Sequence, residues 1–248
     1  MRFDDLDQQM RACETELRLP PGGFLVVRLD GRGFTRLTKR VLQLDEPFDA
    51  GFRDHMLAAA EHLMTCGVKI RFGYCQSDEI SLLLDPAEDA FGRRAVKLAS
   101  VFAGEASAAL TLALGQTAAF DGRVVALPDE EALIDYFRWR AEDTRRNALH
   151  SHCYWALRRT GKSGRAAERA TAGVTSEAKV ALLAQLGIDS AGLPTWQVRG
   201  VGLRWVEEHR IGHNPITGQD VPVVRRRLQR DLDLPFGAVF DAYLKALR

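Results

Sequence analysis

Two apolar runs that each stop at a carboxylate constrain the fold of this chain more than any other feature. Phe24-Leu25-Val26-Val27-Arg28-Leu29 ends at Asp30-Gly31-Arg32-Gly33. Val68-Lys69-Ile70-Arg71-Phe72-Gly73-Tyr74 leads through Cys75-Gln76-Ser77-Asp78-Glu79 into Ile80-Ser81-Leu82-Leu83-Leu84. Both runs are β-branched and aromatic enough to read as buried strands. A buried acid is costly unless it is paired or binds a cation. Adjacent strand ends presenting Asp30 and Asp78 would make a site for a hard, oxygen-liking metal such as Mg²⁺. Two-metal nucleotidyl transfer needs that geometry.

The elements around these runs predict the architecture. The strand at 24–29 precedes a helical pattern over about 49–66, which Gly67 closes. A hairpin-like pair at 68–74 and 79–84 follows, ended by Asp85-Pro86; then come a long alanine-rich helix over 90–114 and a strand over 118–127. The order β-α-β-β-α-β is the split βαβ of a ferredoxin-like sheet. The expected class is α+β, with a ferredoxin-like βαββαβ palm core and a helical and β-hairpin C-terminal extension. Polymerase palms and nucleotide cyclases share that core, so the fold alone does not choose a function. Past Leu127-Pro128 the pattern reads as one long or broken helix over 129–159, a loop at Lys162-Ser163-Gly164-Arg165 and a short helix over 175–186. Strands at 198–209 and 221–229 then flank the turn signal Asn214-Pro215-Ile216-Thr217-Gly218, and a terminal helix covers 236–247. The chain thus divides into a palm-like catalytic region, 1–130, and a C-terminal region, 131–248.

With 248 residues, 46% of them hydrophobic, the chain can bury a sizeable core. A formal net charge of +1 gives no bulk case for a polyanion partner, so any nucleic-acid surface must be a local patch. The four cysteines, Cys13, Cys66, Cys75 and Cys153, include no C-x-x-C pair, which argues against a zinc site or a disulfide framework and for a reducing cytoplasm. Acids and arginines stud the first residues, leaving no signal-peptide core, and no uncharged apolar stretch has the length of a bilayer span.

Asp30 and Asp78 lead the candidate residues. Gly31 would let a backbone carbonyl approach a metal, and Gly33 would ease the following turn. Ser77 and nearby backbone amides could hold phosphate oxygens. Glu79 joins the acidic set but ranks below Asp78 as a ligand, because successive strand residues face opposite ways. Taken alone, either motif is better read as acids capping turns on a solvated edge; both together on a split βαβ favour the metal. Arg93, Arg94 and Lys97 are expected at the start of the alanine-rich helix, with Arg93 and Lys97 on one face at i, i+4. They could grip phosphate, against the plainer reading of a solvated basic turn. His150 and His152 cannot share a helix face at i, i+2, which disfavours a two-histidine metal site. Arg145-Arg146, Arg158-Arg159, Lys162, Arg165 and Arg225-Arg226-Arg227 are candidate RNA-phosphate contacts, each singly better read as a solvated face. Trp139 and Trp155, sixteen residues apart on a helical pattern, read as core rather than as stacking platforms.

Three segments resemble the signatures of the tRNA(His) guanylyltransferase family, which includes guanylyltransferase-like 3′-to-5′ RNA polymerases. They are Arg28-Leu29-Asp30-Gly31-Arg32-Gly33-Phe34, Gly73-Tyr74-Cys75-Gln76-Ser77-Asp78-Glu79 and Phe120-Asp121-Gly122-Arg123-Val124-Val125. Arg93-Arg94-Ala95, Trp139-Arg140, Trp155 and the Lys179, Leu183, Gly187-Ile188, Pro194 series support the match, which runs roughly from Phe24 to Trp205. Three ordered motifs are far more specific than a lone glycine-rich match. The resemblance implies two Mg²⁺ ions on Asp30, the Gly31 carbonyl and Asp78, and a nucleotide along Asp30, Gly31, Arg32, Gly33, Phe34 and Thr35 and at Ser77-Asp78. It implies phosphate or RNA contacts at Arg93, Arg94, Lys97, Arg123, Arg145, Asn147, His150 and His152, with the C-terminal region gripping RNA. The implied reaction adds nucleotides to a tRNA 5′ end after ATP or GTP activates its 5′-phosphate, with nucleoside triphosphates as substrates and a homotetramer as the assembly.

The chain departs from that pattern where eukaryotic members carry His-Ile-Asn-Asn-Leu-Tyr-Asn-Thr. Here the stretch reads Arg145-Arg146-Asn147-Ala148-Leu149-His150-Ser151-His152. Thr35 stands where those members tend to have histidine, and Glu46 where they have lysine. The departures favour the polymerase-like branch, which repairs 5′-truncated tRNAs on a template. A palm-fold nucleotide cyclase would need the same two acids and no RNA, and a non-catalytic RNA-binding module would not need the acids; both remain as rival readings.

Overall fold

The computed structural model describes residues 2–213 and 215–247. Helix α1 (Phe3–Arg11) precedes strand β1 (Phe24–Gly31). The chain continues through a short helical segment α2 (Phe34–Arg36) that runs into π-type turns over Leu37–Leu42, helix α3 (Ala50–Met64), strands β2 (Ile70–Gln76) and β3 (Glu79–Leu84), helix α4 (Ala95–Leu114) and strand β4 (Phe120–Leu127). The second half comprises helices α5 (Glu130–Arg159), α6 (Gly164–Thr171), α7 (Ser176–Gln185) and α8 (Thr195–Arg199), the hairpin β5 (Val201–His213) and β6 (Asp220–Asp231), and helix α9 (Gly237–Lys245). Asn214 of the expected turn lies outside the described residues.

Among the described residues six strands form one sheet in the order β4-β1-β3-β2-β5-β6. Its first four members are antiparallel neighbours in the ferredoxin-like arrangement, and β5 adds to β2, so the C-terminal hairpin continues the palm sheet. Strand alternation explains why the first apolar run is almost unbroken. Leu25, Val27 and Leu29 face α3 and α4, where Leu57, Leu63, Phe102 and Leu110 are fully buried. Val26 faces the other way, toward Leu133 and Phe137 of α5 and Phe240 of α9. A strand covered on both faces has no polar phase.

Helix α5, about 45 Å long at 1.5 Å per residue, starts where the Asp129 side chain accepts the Ala132 amide at 2.8 Å. It is bolted to the sheet by Tyr74, fully buried, whose hydroxyl meets Thr144 Oγ1 at 2.7 Å and donates to the Arg199 carbonyl at 2.7 Å. Thr144 Oγ1 also donates to Gln76 Oε1.

Several expectations need correction. The alanine-rich helix starts at Ala95, because Phe91, Gly92 and Arg93 take positive φ (55°, 61° and 55°), so Arg93 and Lys97 share no helical face. The loop expected at 162–165 is confined to Lys162 and Ser163; Gly164 and Arg165 already begin α6, with Ser163 accepting the Ala166 amide at 3.3 Å. Helices α1, α2 and α8 and the π-type turns have no counterpart in the sequence reading. Helix α4, which carries Lys97 and Glu105, is long and apolar enough to cross a bilayer by composition; Leu98, Phe102, Ala106 and Leu110 seat it against the sheet as a core helix.

Candidate active site

Asp30 ends β1, and Asp78 lies in the turn between β2 and β3. The Gly31 amide donates to the Asp78 carbonyl at 3.0 Å, so the two acidic segments touch. Ser77 turns the chain with φ 46°, in the left-handed region. Burial pushes the Asp78 carboxyl above the usual carboxylate range, and the charge of Asp30 pushes it further, against the opposing pull of its own amide and the Ser77 hydroxyl. Asp30 keeps 38% of its side chain exposed. A cation between these groups would relieve both burial and repulsion.

Glu79 does something else. Its Oε1 accepts Arg140 Nε at 2.8 Å, while Oε2 accepts Arg140 Nη2 at 2.7 Å and lies 2.7 Å from Arg28 Nη2. With Glu79 only 6% exposed and both oxygens given to guanidinium groups, it is the counter-ion of a buried cluster, which corrects its placement among the catalytic acids. Arg28 Nη2 also lies 3.6 Å from Asp30 Oδ2, joining the cluster to the site.

Gly31 has a packing reason beyond carbonyl access. A Cβ there would meet the Phe34 ring at 2.6 Å. That ring is buried against Phe52 and Phe120, so Phe34 shapes the loop from beneath. Gly33 has φ 74°, which favours glycine. Arg32, Gly33 and Thr35 are exposed around it.

A cleft of about 490 Å³ opens beside the acids. Its walls include Thr35 and Lys39 from the α2 region, Arg53 from α3, and Asn147 and His150 from α5. Lys39 and Arg53 are cations the sequence reading did not single out. Lys39 Nζ lies over the rings of Tyr154 and Trp155 at 5.8 and 5.7 Å, placed by π-type turns that no local pattern announces. Arg53 stacks on Trp196 at 4.6 Å. Glu46 lines the same cleft, its carboxyl raised by burial and opposed by Lys39.

The expected phosphate contacts scatter. Arg93 is buried and donates to the Leu19, Glu88 and Pro20 carbonyls, so it ties loops together and offers nothing to phosphate. Arg94 pairs with Glu16 at 2.9 Å, and Lys97 is exposed on α4, across the sheet from α5. Arg123 is exposed on β4 beside Asp121 at 3.2 Å. Arg145 lies 3.5 Å from Glu142, and Asn147 donates to Asp143 at 3.2 Å. His150 faces the cleft, 3.6 Å from Glu168. His152 is buried, hydrogen-bonded to Gln197 at 2.8 Å and packed on Phe48, which removes it from the RNA contacts. Trp139 is 54% exposed, contrary to its expected place in the core.

Among the described residues no three His, Cys, Asp or Glu side chains cluster as a metal cage. An all-oxygen pair of carboxylates still suits Mg²⁺, which is usually held by one or two carboxylates with water and substrate phosphates.

An antiparallel palm sheet with two carboxylates at adjoining strand ends places the chain among palm-fold proteins. The chain belongs to the tRNA(His) guanylyltransferase (Thg1) family, a family of nucleotidyltransferases: the tRNAHis guanylyltransferase domain matches residues 7–128 and the Thg1 C-terminal domain matches residues 131–228. It is 32% identical over 203 residues to a probable tRNA(His) guanylyltransferase of Drosophila melanogaster, covering 78% of this chain and 71% of that one. It is also 32% identical over 195 residues to the tRNA(His) guanylyltransferase of Debaryomyces hansenii, covering 73% of each. The crystal structure of the Saccharomyces cerevisiae enzyme superposes with a TM-score of 0.71 at 26% identity, covering 79% of this chain and 91% of that chain. A bacterial tRNA(His) guanylyltransferase-like protein in complex with ATP shares the fold over 98% of this chain and 97% of its own, with a TM-score of 0.75 at 22% identity.

Proposed function

We propose that this protein is a Mg²⁺-dependent nucleotidyltransferase that adds nucleotides to the 5′ end of tRNA in the 3′-to-5′ direction. The observation that carries this reading is the contact between the Asp30 and Asp78 segments, with the Asp78 carboxyl raised by burial and by its neighbour's charge. Family membership supports the tRNA substrate, and the ATP and GTP complexes of the bacterial fold neighbours support triphosphate binding.

Asp30, the Gly31 carbonyl and Asp78 would hold the metal. Bound there, Mg²⁺ would lower the pKa of an attacking hydroxyl and neutralise phosphate charge. Exposed Arg32, Gly33 and Thr35, with Ser77, would orient the nucleotide. Lys39 and Arg53 would meet its phosphates from the cleft wall. The RNA 5′-monophosphate first displaces pyrophosphate from ATP or GTP; the 3′-hydroxyl of an incoming triphosphate then attacks the same 5′-phosphorus and releases the nucleoside monophosphate. Positioning in line and charge neutralisation supply most of the rate.

The divergent segment Arg145–His152 favours templated repair of truncated tRNA over addition of one guanosine to tRNA(His). Four free cysteines suit a reducing cytoplasm, and a homotetramer is the assembly the resemblance implies. The test supplies Mg²⁺ and all four triphosphates to a 5′-monophosphorylated tRNA lacking its first nucleotide and to full-length tRNA(His). Template-matched extension of the truncated RNA supports repair; one guanosine added to tRNA(His) alone restores the narrower activity. Cyclised nucleotide without RNA extension would replace the reading with a cyclase.

A further inference from the structure

Trp139 is a large aromatic on α5 left 54% exposed. Its indole is not loose. The Arg140 guanidinium carbon lies 4.4 Å from the ring centroid and that of Arg28 lies 5.6 Å away. Both arginines are locked on buried Glu79 at 2.7–2.8 Å. Tyr136 meets the ring edge-on at 5.9 Å and is itself held by Ser81 at 2.9 Å. Guanidinium groups gathered on one buried carboxylate thus lie against a ring that is more than half exposed. Beyond it, exposed Arg123 on β4 is the cross-strand partner of Arg28.

One guanidinium separates this ring from the catalytic acid: Arg28 stacks under Trp139 and reaches 3.6 Å from Asp30 Oδ2. We propose that Trp139 is a stacking platform for the 5′-terminal nucleobase of the RNA substrate, seating the reacting 5′-phosphate beside Asp30. The assignment rests on the proposed RNA 5′-end activity. An indole fits this role because every base has a π face, so stacking holds RNA without selecting its sequence. A ring pinned by buried ion pairs is already ordered before RNA arrives, which limits the entropy lost on binding. Trp139 is a positioning residue and touches no reacting atom.

The experiment compares Trp139→Ala and Trp139→Phe with the parent in 5′-extension of the truncated tRNA, titrating RNA and triphosphate separately. Stacking of one base sets the expected size of the effect: Trp139→Ala raises KM for RNA about tenfold, with kcat and KM for triphosphate near parental values, and Trp139→Phe recovers most of the loss. An RNA with an abasic 5′-terminal residue loses affinity for the parent and loses little more with Trp139→Ala. RNA quenches tryptophan emission in the parent and less in Trp139→Phe. Unchanged RNA KM in Trp139→Ala overturns the platform, as does a fall in kcat alone, which would mark Trp139 as a prop for the Glu79 cluster. A raised KM for triphosphate alone also overturns it, by moving the platform to the other substrate. A parent inactive on every RNA fails the underlying activity instead, and the emission titration then reads the platform independently, with equal quenching in parent and Trp139→Phe against it.

Discussion

The hydrogen bond from the Gly31 amide to the Asp78 carbonyl, at 3.0 Å, fixes the distance between the segments that carry the two acids. Asp30 ends β1 and Asp78 sits in the turn between β2 and β3, and this contact holds the two segments together.

Asp78 should behave as a functional acid held at the expense of stability. Its folded carboxyl sits above the ordinary value because of burial first and Asp30 second. The folded state therefore holds this proton more tightly than the unfolded state, and stability falls as pH rises from the ordinary carboxylate value through the raised folded one. Asp78→Asn is expected to melt higher than the parent at neutral pH without added metal, and to lose nucleotide transfer. Mg²⁺ should raise the parent melting temperature and leave that of the variant nearly unchanged, as read by thermal denaturation.

Glu79 should show the opposite sign. Removing it leaves Arg28 and Arg140 without their shared counter-charge, and loss of one partner from a buried ion pair typically costs about 3–5 kcal/mol. Urea unfolding of Glu79→Ala measures this; a stability near that of the parent would mean the carboxylate is free to serve elsewhere.

Gly31→Ala should damage the loop through Phe34. The added methyl would meet the ring at 2.6 Å, and overpacking of this kind costs about 1–3 kcal/mol. Combining it with Phe34→Leu should recover part of the stability, because the obstacle is the ring and not the glycine's φ. Equilibrium unfolding of the single and double variants reads the coupling.

Tyr74→Phe deletes the hydroxyl that meets Thr144 and the Arg199 carbonyl. Leaving buried partners unsatisfied costs about 1–3 kcal/mol. Denaturant unfolding should show that loss, and at saturating substrate the rate should change little, because the ring still packs against Phe137.

The palm core and its acid pair were legible because apolar runs and the residues that interrupt them are local properties of the chain. What stayed hidden depends on partners far apart or on unusual backbone. Glu79 and Arg140 are 61 positions apart, and no periodicity foretells that a strand acid will be neutralised from α5. The π-type turns that aim Lys39 into the cleft, and the left-handed Phe91 that delays α4, follow from packing and not from composition. Trp139 lies on a helix whose apolar pattern suggests burial, yet it remains 54% exposed where α5 meets the arginines of the Glu79 cluster. His152 shows the converse: a histidine on an arginine-rich segment that turns inward to Gln197.

The most direct test of the central claim is single-turnover 5′-extension of a monophosphorylated, truncated tRNA by the parent, Asp30→Asn and Asp78→Asn, with products sized on a sequencing gel. The expected result is extension by the parent, and retained fold with no extension in either variant. Extension by both variants at the parental rate would contradict the assignment of the Asp30 and Asp78 pair as the nucleotidyl-transfer centre.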